Sequence, residues 1–211
     1  TGVSQITNPG TPGQYVVTIG GTMADSGSIT TTIITDDTVA MTGTVQQSLS
    51  FTISTSTIYF GTLGSAAPKF ASSTNPLGDT VETVAHTLAV GTNAPSGFAL
   101  IARGQTLTSQ QNAANTILAI GGTAAAIATG TEQFGIRLTE SGGTGITLDP
   151  TFSQASSYGY DGTATSSTLL ATGSGSTPTS TYSLRYLANI AAVTEAGTYA
   201  ANLVYVATAN F

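Results

Sequence analysis

The sequence predicts an all-β protein, an antiparallel β-sandwich or barrel built around one core. Its polar residues are mainly hydroxyls, with 41 Thr and 22 Ser, whereas only 7% of residues are charged, against about 25% in an average soluble domain. Thr and the other β-branched residues suit strands, and the straight-chain helix formers Lys, Glu and Arg are scarce. Short apolar runs also recur between turn residues, a spacing typical of sandwiches and barrels.

Ten segments show partial alternation of apolar and polar residues and are predicted as strands. In chain order they cover residues 15–19, 29–35, 38–45, 49–53, 58–60, 80–90, 97–102, 133–138, 182–190 and 198–207. The polar cluster at 109–115 predicts either one short helix or a long crossing loop. Small residues at 141–145 and 173–178 predict exposed loops.

The length and composition predict how the chain is divided. A chain of 211 residues that is 40% hydrophobic can bury one sizeable core without metals or disulfides, and it contains no Cys. Its low charge and abundant apolar residues argue against disorder. We therefore predict a single β-sandwich domain over residues 23–211, preceded by an N-terminal extension over residues 1–22.

The extension carries one apolar strand between two flexible spacers. Pro9 and Pro12 favour extended chain before the strand at 15–19, and a Gly- and Ser-containing spacer at 20–28 follows it. Such a strand is poorly placed to form a hairpin of its own and well placed to pair with a neighbouring subunit. We expect a donor strand with Tyr15, Val17 and Ile19 on one face. The full predicted donor set is Val3, Ile6, Tyr15, Val16, Val17, Thr18 and Ile19.

Composition excludes several partners. Four scattered basic residues cannot neutralise a run of phosphates, so no nucleic-acid partner is expected. A net charge of −6 disfavours anionic lipid, and no stretch of eighteen apolar residues is present to span a membrane in the mature chain. The start at Thr1 predicts a processed, extracellular chain whose signal peptide has been removed. There is no Asn-x-Ser/Thr sequon, while sugar on Ser or Thr remains open.

Catalytic chemistry is not expected. His86 is the only imidazole and would be the natural general base. It lies within a predicted strand without an acidic partner nearby, and no G-x-S-x-G motif occurs, so we interpret it as structural. We predict no enzyme activity and no cofactor.

The acidic residues are interpreted as turn and strand-end residues. None follows the spacing of a calcium-binding loop, and any calcium would be structural, so no metal site is predicted. The pairs considered are Asp36 with Asp37, Asp79 with Glu82, and Asp149 with Asp161.

The tyrosines leave two interpretations open. They could form a surface on which sugars stack, or they could pack in the core and across strands, as tyrosines in strands more often do. The residues concerned are Tyr158, Tyr160, Tyr182, Tyr186, Tyr199 and Tyr205.

Several short segments resemble secreted prokaryotic surface proteins. They are TVAMTGTV (38–45), LSFTI (49–53), IYFGTL (58–63), LAVGTNAPSGF (88–98) and the AGTY (196–199) that opens the last apolar strand. The last of these is similar to the final strand of pilin-like sandwiches. From about Asp36 onward, most of the chain resembles subunits of archaeal threads and bundling pili and of TasA-type biofilm fibres. That resemblance implies a jelly-roll or pilin-like sandwich whose missing strand comes from the N-terminus of the next subunit.

These observations predict a structural subunit of an extracellular filament that polymerises head to tail by donor-strand complementation. Its main partner would be itself, with surfaces or other cells as further partners. One alternative is a cell-surface adhesin or S-layer module that binds carbohydrate or protein. Another is the jelly roll of a viral capsid or spike.

Overall fold

The computed structural model describes residues 7–22, 24–35, 38–162 and 167–211. The predicted fold class is confirmed: the protein is nearly all β, and its antiparallel strands form a sandwich. The chain divides into two compact units, residues 1–45 and residues 46–211, so the first unit is longer than the predicted extension. The predicted donor residues Val3 and Ile6 and the acidic pair Asp36 and Asp37 lie outside the described ranges, as does Thr1.

The first unit contains a two-stranded antiparallel ribbon made of β1 (Gly13–Ile19) and β2 (Gly27–Ile33). The expectation that the strand at 15–19 would not form its own hairpin was therefore wrong. A flexible spacer does not prevent two strands from pairing, because the entropic cost of closing a loop rises only slowly with its length. Residues 38–45, predicted as a strand, are irregular.

The second unit is the sandwich, and it contains one short helix, α1 (Pro150–Ser153), capped by Asp149. The strands of this unit are β3 (Leu49–Ile53), β4 (Lys69–Phe70), β5 (His86–Thr92), β6 (Phe98–Arg103), β7 (Thr108–Ser109), β8 (Gly121–Ala126), β9 (Gln133–Ser141), β10 (Ile146–Leu148), β11 (Ser157–Tyr160), β12 (Thr168–Gly173), β13 (Thr177–Asn189), β14 (Tyr199–Ala200) and β15 (Val204–Ala209).

Two main sheets make the sandwich. The larger has the strand order β3-β5-β13-β9-β11-β8, with β4 also paired to β13, and the smaller has the order β10-β12-β6-β15. A separate pair joins β7 to β14. No helix in the described part of the chain is long and apolar enough to cross a membrane.

The core lies between the two main sheets and is filled from alternate positions of their strands, as period-two alternation requires. In β6, for example, Phe98, Leu100 and Ala102 are buried while the residues between them are partly exposed. Side chains of the larger sheet meet them. These are Leu88 and Val90 of β5, Ile136 and Leu138 of β9, and Tyr182, Leu184 and Tyr186 of β13.

Several predicted elements differ from those observed. The strand expected at 80–90 begins only at His86, and the segment at 58–60 contributes a single bridge, between Tyr59 and Ser72. The polar cluster at 109–115 is a loop. Six short strands were not predicted, namely β4, β7, β8, β10, β11 and β12. Four of them are only two to four residues long, and neither the small residues of β8 nor the adjacent Leu169 and Leu170 of β12 give an alternating apolar pattern, so their pairing depends on neighbours that lie far away in sequence.

The larger sheet ends at β3 and the smaller sheet at β15, and these two terminal strands lie beside each other without pairing. We refer to the boundary between them as the seam. At one end the 93–97 connection from β5 to β6 closes the seam. The backbone N–H of Ser48 donates to Oδ1 of Asn93 at 2.8 Å, and that of Asn210 donates to the carbonyl oxygen of Gly97 at 2.8 Å.

Candidate functional site

Five of the predicted donor residues, those at positions 15–19, lie on the ribbon, and β2 adds to them. Antiparallel pairing places Val17 opposite Ile29 and Gly13 opposite Ile33. Since side chains on paired positions share a face, one face of the ribbon carries five apolar side chains. They are Tyr15, Val17, Ile19, Ile29 and Ile33. The opposite face is polar apart from Val16, and it includes the predicted donor residue Thr18.

The apolar face of the ribbon is open. Ile19 is 73% exposed and Ile29 67% exposed, while Val17 is 45% exposed. Tyr15 is better covered, and its hydroxyl donates to the carbonyl oxygen of Thr11 at 2.8 Å. The predicted donor set includes the β1 half of this face but not Ile29 and Ile33, although a strand was predicted at 29–35. Their alternation with Thr in β2 was the signal that would have revealed them.

An apolar groove opens at the other end of the seam, within the sandwich unit. It has a volume of about 910 Å³ and lies between the end of β3, at Ile53, and the start of β15, near Tyr205. Its walls are mainly apolar side chains that are only partly buried. Among them are Ile53, Ile58, Leu63, Ile190 and Leu203. No local pattern predicts this groove, because its walls come from segments as far apart as residues 53 and 205.

A row of hydrogen-bonded aromatic and imidazole side chains forms the floor of the groove. Nε2 of His86 lies 2.6 Å from the hydroxyl of Tyr186, which in turn hydrogen-bonds the hydroxyl of Tyr205. The ring of His86 stacks on that of Tyr186, with ring centres 5.5 Å apart. Three strands, β5, β13 and β15, position these groups.

Burial keeps the floor of the groove uncharged. It lowers the pKa of His86, because a desolvated imidazolium loses its hydration. For the same reason burial raises the pKa of Tyr186 well above its ordinary value. The hydrogen bond of His86 goes to a phenol, and among the described residues no carboxylate orients its ring. The arrangement therefore suits binding of a neutral, largely apolar partner.

Glu82 lies elsewhere, on a network that attaches the 80–85 segment to the larger sheet. Its carboxylate accepts a hydrogen bond from Nε of Arg137 at 2.7 Å and another from the hydroxyl of Tyr158, and it lies 3.8 Å from Nε of Arg185. Burial of this carboxyl opposes its ionisation, but the bonds from Arg137 and Tyr158 outweigh it and lower the pKa of Glu82.

The other acidic residues considered from the sequence take structural contacts. Oδ1 of Asp79 accepts from Nδ2 of Asn75 at 2.8 Å, Asp149 caps α1, and Asp161 accepts from the hydroxyl of Thr168 at 3.3 Å. Within the described ranges, no group of three or more His, Cys, Asp or Glu residues could hold a metal ion.

The tyrosines do not form an open stacking surface at residues 158–160. Tyr158 and Tyr160 are buried, and the hydroxyl of Tyr160 donates to the carbonyl oxygen of Gly104 at 2.6 Å. Burial, followed by the charge of Asp161, raises the pKa of Tyr160 to about 12. Tyr182 and Tyr186 are buried as well. Of the two interpretations left open by the sequence, packing describes these four side chains.

The fold and the two surfaces define a nearly all-β sandwich protein with an exposed apolar face on its ribbon and an apolar groove in its sandwich unit. No protein-family description, curated protein or solved structure matches this chain.

Proposed function

We propose that this chain is a structural subunit of an extracellular filament, which polymerises head to tail by donating its N-terminal β-structure to the next subunit. The observation that carries the proposal is the exposed apolar face of the ribbon. An isolated two-stranded hairpin is marginally stable in water and requires further packing. An exposed apolar face of this kind marks an interaction site.

Association would bury side chains that the ribbon leaves in water. Ile19 and Ile29 are mostly exposed, and each would contribute up to roughly 1.5–3 kcal/mol if fully buried, whereas Val17 is already about half buried and would contribute less. The strand edges of the ribbon would also gain hydrogen-bond partners by adding to another sheet. Both contributions to the free energy of association arise without any charged group, which suits a chain with only 7% charged residues.

The contact that we propose is heterologous, because the ribbon and its acceptor are different surfaces of the chain. A heterologous contact that does not close into a ring propagates into a fibre. The function is therefore structural, with the chain itself as main partner, an extracellular location and no catalytic role.

Negative-stain electron microscopy of the purified protein, before and after boiling in SDS, tests the proposal. We expect long, uniform fibres that resist SDS, since every junction would bury β-structure of the neighbour. Deleting residues 1–19 should leave a folded chain that does not polymerise.

Filaments formed by the truncated chain would contradict the proposal. Monodisperse single particles of the intact chain would instead favour the adhesin or S-layer module, and closed shells or trimers the capsid or spike jelly roll.

A further inference from the structure

We propose that the donated element is the whole ribbon, β1 together with β2, and that it is received over the groove at the open end of the seam of a second copy. This inference rests on the proposed filament function and specifies both halves of the junction. It differs from the exchange of residues 1–22 alone that the sequence predicted.

The pairing within the ribbon argues for two strands instead of one. Seven residue pairs join β1 to β2, and donating β1 alone would separate all of them. The apolar face is also shared between the strands, since Ile29 lies opposite Val17 and is 67% exposed. A junction that used only β1 would leave Ile29 and Ile33 in water.

The position of the groove in the fold suits a β-ribbon. The groove lies between the terminal strands of two packed sheets, whose outer edges have no strand partner in the described part of the chain. Ile53 and Tyr59, at the rim, are 44% and 42% exposed. A ribbon laid over this opening would cover both rim residues.

The two surfaces also agree in charge. The paired strands of the ribbon contain no charged residue, and the only Asp or Glu among the groove residues is Glu195. A contact between them desolvates almost no ions. The two surfaces are complementary but not identical, so a second copy of this chain can fill the groove of the first while its own groove stays open.

Paired substitutions test both halves of the junction. Ile29→Asp places a charge on the apolar face of β2, and Thr30→Asp, one residue on, places it on the opposite face as a control. Ile53→Asp places a charge on the rim of the groove, and Leu169→Asp is its control, on β12 at a similar exposure of 40%. Circular dichroism of each variant checks that it is folded.

We expect Ile29→Asp and Ile53→Asp to abolish filaments and to give monomers by light scattering, while both controls polymerise as the unchanged chain does. Mixing the two inactive variants should then give discrete heterodimers, because one supplies an intact groove and the other an intact ribbon. Each pair in such a mixture forms one intact junction. The substituted ribbon at one end of the pair and the substituted groove at the other end then block further growth.

The outcomes separate this inference from the function on which it rests. If the unchanged chain forms no filaments, the proposed function fails. If it forms filaments that are lost on deleting residues 1–19 but kept in Ile29→Asp, a single donor strand is used and the ribbon is excluded. Filaments of Ile53→Asp, or a mixture that stays monomeric, would exclude the groove as acceptor.

Discussion

His86 depends on residues that are distant in sequence, because its hydrogen-bond partner Tyr186 follows it by 100 residues. The sequence interpretation of His86 as structural agrees with this buried contact. What the sequence could not provide was the position at the floor of a groove, which depends on how β5, β13 and β15 pack. Because burial at that position lowers the pKa of His86, its effect on stability can be measured as a dependence on pH.

We predict that His86 makes folding sensitive to mild acid. Its pKa is held below the ordinary value of 6.5 in the folded chain, so the unfolded chain binds more protons as the pH falls below 6.5. The free energy of unfolding should therefore decrease by about 1 kcal/mol between pH 7.5 and pH 5.5. Urea titration of the unpolymerised chain at both pH values measures this decrease. His86→Gln should abolish the contribution of His86 to this decrease. An equal pH dependence of the free energy of unfolding in both proteins would contradict the assignment of the decrease to His86.

We also predict that Glu82 stabilises the larger sheet through its two arginines. Glu82→Gln should lower the free energy of unfolding at pH 7 by about 1–2 kcal/mol, because Arg137 and Arg185 would lose their counter-charge. Since the pKa of Glu82 lies below 4.5, this stabilisation is present above that pH and is lost as the pH falls further. Glu195→Gln is the control, because that side chain is exposed. Equal denaturation midpoints for the two variants would argue against the network.

The strands and turns of the sandwich are fixed partly by local sequence and partly by packing. Runs such as 49–53 and 133–138 were predicted because their alternation is visible, and they form β3 and the first part of β9. The seam depends on the turn at 93–97, which connects the two sheets and holds the end of β15. No alternation of apolar and polar residues reveals this turn.

Gly97 is the residue of this turn that no other amino acid can replace without strain. It has φ of +76°, and a Cβ there would overlap the carbonyl oxygen of Gly173. We expect Gly97→Ala to lower the free energy of unfolding by at least about 2 kcal/mol, from backbone strain and that overlap. Gly64→Ala should cost much less, because no atom lies within 4 Å of its added Cβ. Thermal unfolding of the two variants compares them, and similar melting temperatures would contradict the role of the turn.

At the scale of the whole molecule, the chain consists of two units that differ in how far they bury their apolar side chains. The sandwich encloses its own core, whereas the described part of the first unit exposes most of its large apolar side chains. One unit is therefore expected to fold by itself and the other to require a partner.

We predict that residues 46–211, expressed alone, give a folded monomer. The core residues of both main sheets lie within this range, so nothing that fills the core is removed. Dispersed amide signals in an NMR spectrum and a monomeric mass by light scattering would be the expected result. An unfolded fragment would show that the first unit is part of the folding unit.

Composition by itself determined that this is a β-protein of very low charge, because strand propensity and side-chain charge are properties of each residue and do not depend on contacts. The tertiary structure alone decided three further features. It paired β1 with β2, it brought His86 to Tyr186 and Tyr205, and it left a groove where β3 and β15 do not pair. The first joins two consecutive strands separated only by residues 20–26, and local patterns do not show whether such strands pair with each other or elsewhere. The other two depend on contacts between residues distant in sequence, and local patterns carry no information about which distant segments will meet.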